Sequence, residues 1–328
     1  MTDRDPTRKR VLVTGASGFV GRAIVTRLVA DQRDVVRIAT RRPLVDLPAQ
    51  IEQETIGDLG TATDWRAALA NVDVVVHAAA RVHVMRERVA DPQLAFRHAN
   101  VEGTTRLAHA AVEAGVQRLV FLSSIKVNGE TTLPGRAFRA DDPPAPADPY
   151  AISKREAEDA LRDVARTTGL QVVIVRAPLV YGPGVKANFA SLMRLVRRGV
   201  PLPLGAIDNR RTLVALDNLV DLVVTCVEHP AAANQTFLAG DGEDLSTTEL
   251  LRRLGLALGR PARLIAVPAS WIELVASALG RRAIADRLCG SLQVDISKAT
   301  DVLGWHPPLS VDAGLSRAAE AFTSGAAR

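Results

Sequence analysis

The sequence predicts an α/β fold: a doubly wound parallel sheet with helices on both faces, followed by a smaller, mainly helical C-terminal lobe. Three observations carry this. Short apolar runs recur through the first 180 residues, and segments with apolar residues at helical spacing separate them. Strands this apolar are buried on both sides, as in parallel sheets covered by helices. After Tyr181 the alternation weakens, and proline and glycine interrupt the chain at Gly182-Pro-Gly184 and Gly199–Gly205. The boundary is therefore expected near 180, with residues 8–180 as the first domain and 181–328 as the second lobe. Some elements of the lobe are expected to return to the first domain.

The elements follow in order. Arg10-Val-Leu-Val-Thr14 is an apolar run suited to a buried strand. Thr14-Gly-Ala-Ser-Gly-Phe-Val-Gly21 turns into a helix over Phe19–Ala30. Strands are then expected at Asp34–Ala39, Asp73–Ala80, Gln117–Ser124 and Gln171–Arg176. Helical spacing covers Ala62–Ala70, Asp91–Ala114 and Tyr150–Thr168, with shorter pieces at Ser246–Leu258 and Ser270–Leu279. The proline-rich stretch Asn128–Pro149 lacks periodicity, and loops of that length are uncommon unless they serve a site.

Composition narrows the class of function. The 328 residues carry a net charge of +5 that is dispersed, with no basic stripe interleaved with aromatics, so nucleic acid is not an expected partner. No apolar run approaches the ~18 residues needed to span a bilayer, and the start is polar. Cys226 and Cys289 are two distant cysteines, with neither a disulfide framework nor a metal-ligand spacing, and no metal is expected. A reducing cytoplasm is the expected compartment.

The chemistry lies in three phrases. In the strand, turn and helix at the N-terminus, Gly15 allows a tight turn and Gly18 lets backbone amides approach a pyrophosphate. Gly21 lets the helix pack close. The helix N-terminus adds partial positive charge, so this is a Rossmann-type dinucleotide cradle. Tyr150 and Lys154 stand four apart on one helix and share a face. An ammonium near a phenol is expected to lower its pKa from the usual ~10 and to reach a nicotinamide ribose. Ser123-Ser124 ends a strand at the edge where open α/β sheets bind ligands. Cradle, hydroxyl, phenol and ammonium together make a hydride-transfer site.

With these residues in view, the chain resembles an extended short-chain dehydrogenase/reductase of the NAD-dependent epimerase/dehydratase family, which acts on nucleotide sugars. Further phrases share the likeness: Gly57-Asp58-Leu59, His77-Ala-Ala-Ala80, Asn100–Thr104, Arg176–Gly184, Arg210–Asn218 and Ser297–Trp305. The resemblance implies catalytic roles for Ser124, Tyr150 and Lys154. It implies cofactor contacts at Gly15, Ser17, Gly18, Phe19, Val20 and Gly21, at Asp58 and Leu59 near adenine, and at Ala78, Ala79 and Ala80. Asn100, Ser123, Ala177 and Pro178 join Tyr150 and Lys154 on the cofactor side. Ser124, Lys126, Asn188 and Arg211 are expected to meet the substrate, Arg211 through its diphosphate. A homodimer through the Tyr150 helix and the helix before it is also implied.

Two departures refine the expectation. Dehydratases of this group carry an Asp-Glu pair after the catalytic hydroxyl, acid and base for eliminating water. Here those positions read Ile125-Lys126, so dehydration is rejected. The second strand lacks the acidic end that accepts from the ribose hydroxyls and runs Thr40-Arg41-Arg42. Two guanidiniums at that place favour NADP(H), with NAD(H) as the alternative. A mobile NADPH suits reduction, so the leading expectation is a reductase acting on a UDP-4-keto-6-deoxy-N-acetylhexosamine. Phe121–Glu130 resembles a subgroup from bacterial surface-polysaccharide synthesis that contains such reductases. The alternative is a UDP-sugar 4-epimerase that retains NAD. A non-catalytic NADP-sensing regulator would keep the glycine turn but gain nothing from Ser124, Tyr150 and Lys154 together. Steroid- and flavonoid-type reductases share an Arg-rich second strand but do not account for the Arg210–Asn218 phrase.

Overall fold

The computed structural model describes residues 8–325 except 46, 83–90 and 134. The first half alternates as expected: β1 (Arg10–Thr14), α1 (Phe19–Asp31), β2 (Val35–Thr40), β3 (Ile51–Thr55), α2 (Arg66–Leu69) and β4 (Val74–His77). Then come α3 (Pro92–Phe96), a π-helical turn over Arg97–Glu102, α4 (Gly103–Glu113), β5 (Arg118–Ser124), α5 (Pro149–Thr168) and β6 (Gln171–Ala177). The second half holds β7 (Leu179–Tyr181), α6 (Ala187–Arg198), β8 (Arg211–Ala215), α7 (Leu216–Glu228), β9 (Thr236–Leu238), β10 (Asp244–Leu245) and α8 (Thr247–Ala257). It closes with α9 (Ala269–Ala278), α10 (Arg282–Cys289), α11 (Ser297–Leu303) and α12 (Val311–Gly325).

The main sheet has seven strands in the order β3-β2-β1-β4-β5-β6-β9. Every neighbouring pair is parallel. The strand order reverses between β1 and β4, the switch point where such sheets open a crevice at their C-terminal edge. Alternate side chains feed the two faces, as a pleated strand requires. Val11 and Val13 pack with Ile24 and Leu28 of α1 and Leu219 and Val223 of α7. Leu12 turns to the opposite layer, with Leu107 of α4 and Ala157 and Leu161 of α5. Each such buried aliphatic chain contributes about 1.5–3 kcal/mol.

Where expectation and structure differ, the reasons are local. Only Arg66–Leu69 of the stretch Ala62–Ala70 is helical. Before it, the Thr63 hydroxyl accepts from the Gly60 amide and donates to the carbonyls of Asp58 and Gly60, holding a turn in place of a helix. The expected helix Asp91–Ala114 is continuous from Pro92 to Glu113, with a π turn at Arg97–Glu102 inside it. β3 is barely apolar and sits at the sheet edge, so its sequence carries no strand signal. β9 returns from the second half to extend the main sheet beside β6, while β10, β8 and β7 form a separate three-stranded sheet. The long loop before α5 is tied down: the Thr132 and Phe138 amides donate to the carbonyls of Ser291 and Gln293 at 2.9 and 2.8 Å.

Candidate active site

The glycine turn is built by close approach. Gly15 has φ +73°, and a Cβ there would lie 2.7 Å from backbone atoms of Ala78 and Ala79 at the end of β4. A Cβ on Gly21 would lie 2.2 Å from the Gly15 carbonyl oxygen, so the first turn of α1 rests directly on the loop. Gly18 is the N-cap of α1, and neither a side-chain cap nor an acidic residue in the first turn satisfies the helix N-terminus. Ser17 and Gly18 are exposed and Phe19 and Val20 half-buried beside it. The Gly18 amide donates to the Gly15 carbonyl at 2.9 Å, so the amides of the first turn of α1 beyond it are the donors that a pyrophosphate takes. At the end of β2, the buried Thr40 hydroxyl has no hydrogen-bond partner. A cradle that excludes side chains, an uncapped helix and an orphaned hydroxyl at the sheet's C-terminal edge fit a dinucleotide.

β5 and α5 carry the hydroxyl, phenol and ammonium that the sequence singled out. Register sets Ser124 opposite Ala177 at the far end of the sheet. Its Oγ accepts from the Lys126 amide at 3.3 Å. α5 begins one residue earlier than expected because Asp148 caps it, accepting from the Ala151 amide at 2.7 Å, with Pro149 at the first helical position. That cap places Tyr150 in the first turn, its ring edge-on to Phe96 with centroids 6.1 Å apart. Lys154, one turn on, is buried. It donates to the Leu122 carbonyl at 2.7 Å, and its Nζ stands 3.9 Å from the Phe121 ring centroid.

The electrostatics differ from the expectation for a phenol beside an ammonium. Burial, followed by the Asp148 charge, pushes Tyr150 up to about 12. Burial pushes Lys154 down to about 7, with the Glu158 charge opposing it. The Lys154 ammonium is committed to the Leu122 carbonyl and the Phe121 ring face, so desolvation governs the phenol. His77, fully buried, is held neutral by burial and then by the Lys154 charge, at about 3. It hydrogen-bonds Thr14 Oγ1 at 2.7 Å and Thr104 Oγ1 at 3.0 Å, tying β1, β4 and α4 together.

Lys154 therefore costs stability in the cofactor-free protein. Its folded value of about 7 lies below the ordinary 10.5, so the unfolded chain binds the proton more tightly between those limits. Stability should rise as pH climbs from about 7 towards 10. Lys154→Met should abolish that rise and stabilise the cofactor-free protein at pH 7 by on the order of a few kcal/mol. Thermal unfolding across this pH range is the check, and a lower Tm in the variant would refute it.

Several expected site residues are otherwise engaged. Ser123 Oγ donates to Glu158 at 2.6 Å, so its hydroxyl serves the interior. The Asn100 amide donates to the Arg81 carbonyl and Ser153 Oγ, both at 3.0 Å, and its Oδ1 accepts from the Arg81 amide at 2.7 Å. Buried in the π turn, it couples the exit of β4 to α5, and π turns recur at functional sites. Lys126 pairs with Glu130 at 2.7 Å and with Asp148. Arg41 lies 3.4 Å from Asp58, both exposed, and Arg42 is exposed beside it. Leu59 and Ala78–Ala80 are half-buried, while Ala177 and Pro178 are buried at the end of β6. Arg211 donates to the Gly290 carbonyl at 2.9 Å, and burial lowers its pKa. Asn188 is exposed at the start of α6.

Sequence reasoning missed the support beneath the site. Glu158 is fully buried, bound by Arg176 at 2.6 and 2.9 Å and by Ser123. Arg176 also donates to Asn128 Oδ1 at 2.9 Å. One signal was available: Glu158 falls four residues after Lys154, on the same face of the helix.

Comparison with known proteins places this geometry. The model of the NAD dependent epimerase/dehydratase family matches residues 11–240. The chain belongs to that family. Among family relatives, "UDP-glucose 4-epimerase" of Vibrio cholerae is 47% identical over 315 residues, covering 96% of this chain and 95% of the relative. "UDP-glucose 4-epimerase" of Mycolicibacterium smegmatis is 32% identical, covering 95% and 98%. Among solved structures, MoeE5 in complex with UDP-glucuronic acid and NAD is 27% identical with a TM-score of 0.76, covering 96% and 99%. This member of the epimerase/dehydratase family thus has the Rossmann-type fold that its sequence predicts.

Proposed function

We propose that the protein is a UDP-sugar 4-epimerase that retains NAD. The observation that carries this reading is the 47% identity with the Vibrio cholerae epimerase over nearly all of both chains. The fold supports this reading, because β5, which ends in Ser124, and β1, which leads into the glycine turn, finish at the same edge of the parallel sheet, with Tyr150 and Lys154 on α5. NAD, when bound, would supply the reversible hydride exchange at C4 of the sugar. Gly15–Gly21 would hold its pyrophosphate, Asp58 and Leu59 its adenine end, and Lys154 its nicotinamide ribose. Tyr150 takes the proton of the C4 hydroxyl and gives it back, while Ser124 hydrogen-bonds that oxygen. Residues 181–328 form the substrate lobe in this reading, with Asn188 and Arg211 at the nucleotide diphosphate. The homodimer through α4 and α5 belongs to the same reading.

A second reading, reduction of a 4-keto sugar with NADPH, rests on Arg41 and Arg42. Support for it is weaker than the sequence suggested, because Arg41 faces Asp58 and only Arg42 is left for a 2′-phosphate. Purifying the protein without added cofactor, denaturing it and identifying the released dinucleotide by mass spectrometry separates the two. The epimerase predicts NAD at near one per chain, with UDP-glucose and UDP-galactose interconverted without added cofactor. An empty protein that binds NADPH better than NADH would sink the epimerase reading and support the reductase.

A further inference from the structure

α9 turns its apolar side outward. None of its residues is buried, and Trp271, Leu274, Val275 and the following Leu279 leave 65%, 68%, 54% and 68% of their surface open. A helix on a globular protein ordinarily turns such residues inward. At 3.6 residues per turn these positions fall on one continuous stripe. Ile272, at the border of the stripe, packs with Ala269 against the cluster of Val196, Leu202 and Leu251, so a narrow edge holds the helix to the lobe.

The surroundings are basic. Between 260 and 290 stand Arg260, Arg263, Arg281, Arg282 and Arg287 against only Glu273 and Asp286. All five arginines are exposed.

We propose that α9 and these arginines dock the protein on an anionic lipid surface. An exposed tryptophan and leucine stripe with exposed arginines in the sequence on either side of it has the chemistry of an interfacial helix. The apolar chains enter the headgroup–acyl boundary and the cations meet lipid phosphates. Among the described residues no helix is long and apolar enough to cross a membrane, so the contact is with one surface. Charge chooses between occupants. A second copy seated on this face would set the same arginines against their own kind, whereas an anionic bilayer complements them.

Trp271 supplies its own probe, because Trp65 and Trp305 are buried. The full-length protein is mixed with phosphatidylglycerol–phosphatidylcholine vesicles or with pure phosphatidylcholine vesicles. Binding to the anionic vesicles should shift tryptophan emission to the blue and make it quenchable by brominated lipid. The protein should float with these vesicles and not with the neutral ones, and about 0.5 M salt should weaken the binding. W271S/L274S and, separately, R281E/R282E should each lower the bound fraction about tenfold or more. Both sets change exposed side chains, so the Tm should hold, and quenching of the unmodified protein needs no variant. No flotation with anionic vesicles, equal binding to neutral ones, or a soluble dimer broken by W271S/L274S would each overturn the proposal.

Discussion

Replacing Tyr150 by phenylalanine should lower turnover about a thousandfold, the scale of a lost general acid–base group and about 4 kcal/mol of barrier. The fold should not change. The aromatic ring that meets Phe96 edge-on remains, and the Asp148 cap of α5 acts through the backbone of Ala151. Cofactor content should also persist, since the glycine turn and Lys154 are untouched. The measurements are kcat on a UDP-sugar and the dinucleotide released per chain. Unchanged turnover would remove Tyr150 from the mechanism. Loss of both turnover and bound cofactor would recast it as a binding residue. Burial, followed by the Asp148 charge, pushes this phenol up to about 12, and positive charge brought beside it on binding would lower that value.

The largest stability effect is expected at Glu158. Glu158→Ala leaves the guanidinium of Arg176 buried without its carboxylate, which costs about 3–5 kcal/mol. A loss in Tm on the order of 10 °C follows, read by calorimetry. Glu158→Gln keeps hydrogen-bonding capacity and should fall between the two. Burial alone would raise the Glu158 pKa, but the bonds and charge of Arg176, the Ser123 hydroxyl and Arg162 outweigh it and hold the carboxyl below its ordinary value. Its stabilisation is therefore present above the ordinary carboxylate range and lost as pH falls through the depressed folded value. The gap between the natural protein and Glu158→Gln should narrow in acid. A Tm unchanged by Glu158→Ala would show that the buried pair contributes little.

These two residues sit one above the other in what a reader of the chain can see. Tyr150 is legible because its partners are near in sequence: the capping Asp148, Pro149 and Lys154 one turn on. Glu158 lies on the same helix, yet its meaning depends on Arg176 in β6 and Ser123 in β5, which only the packed sheet brings to it. The same division runs through the fold. β1, the glycine turn and α1 read directly, because a buried strand and an amphipathic helix write their periods into adjacent residues. β3 and β9 do not, because a barely apolar edge strand and a three-residue returning strand carry too short an apolar pattern to show.

The amino-acid order thus sufficed for the family and the parallel sheet, and it named the hydroxyl, phenol and ammonium of the proposed site. Each rests on short spacings set by backbone geometry. Folding in three dimensions settled the charge states and the alliances. Arg41 faces Asp58, Lys126 turns to Asp148, and Lys154 donates a hydrogen bond to the Leu122 carbonyl. The phenol is raised where the spacing alone suggested it would be lowered. Desolvation is summed over every segment that closes around a group, and no local stretch of chain contains that sum.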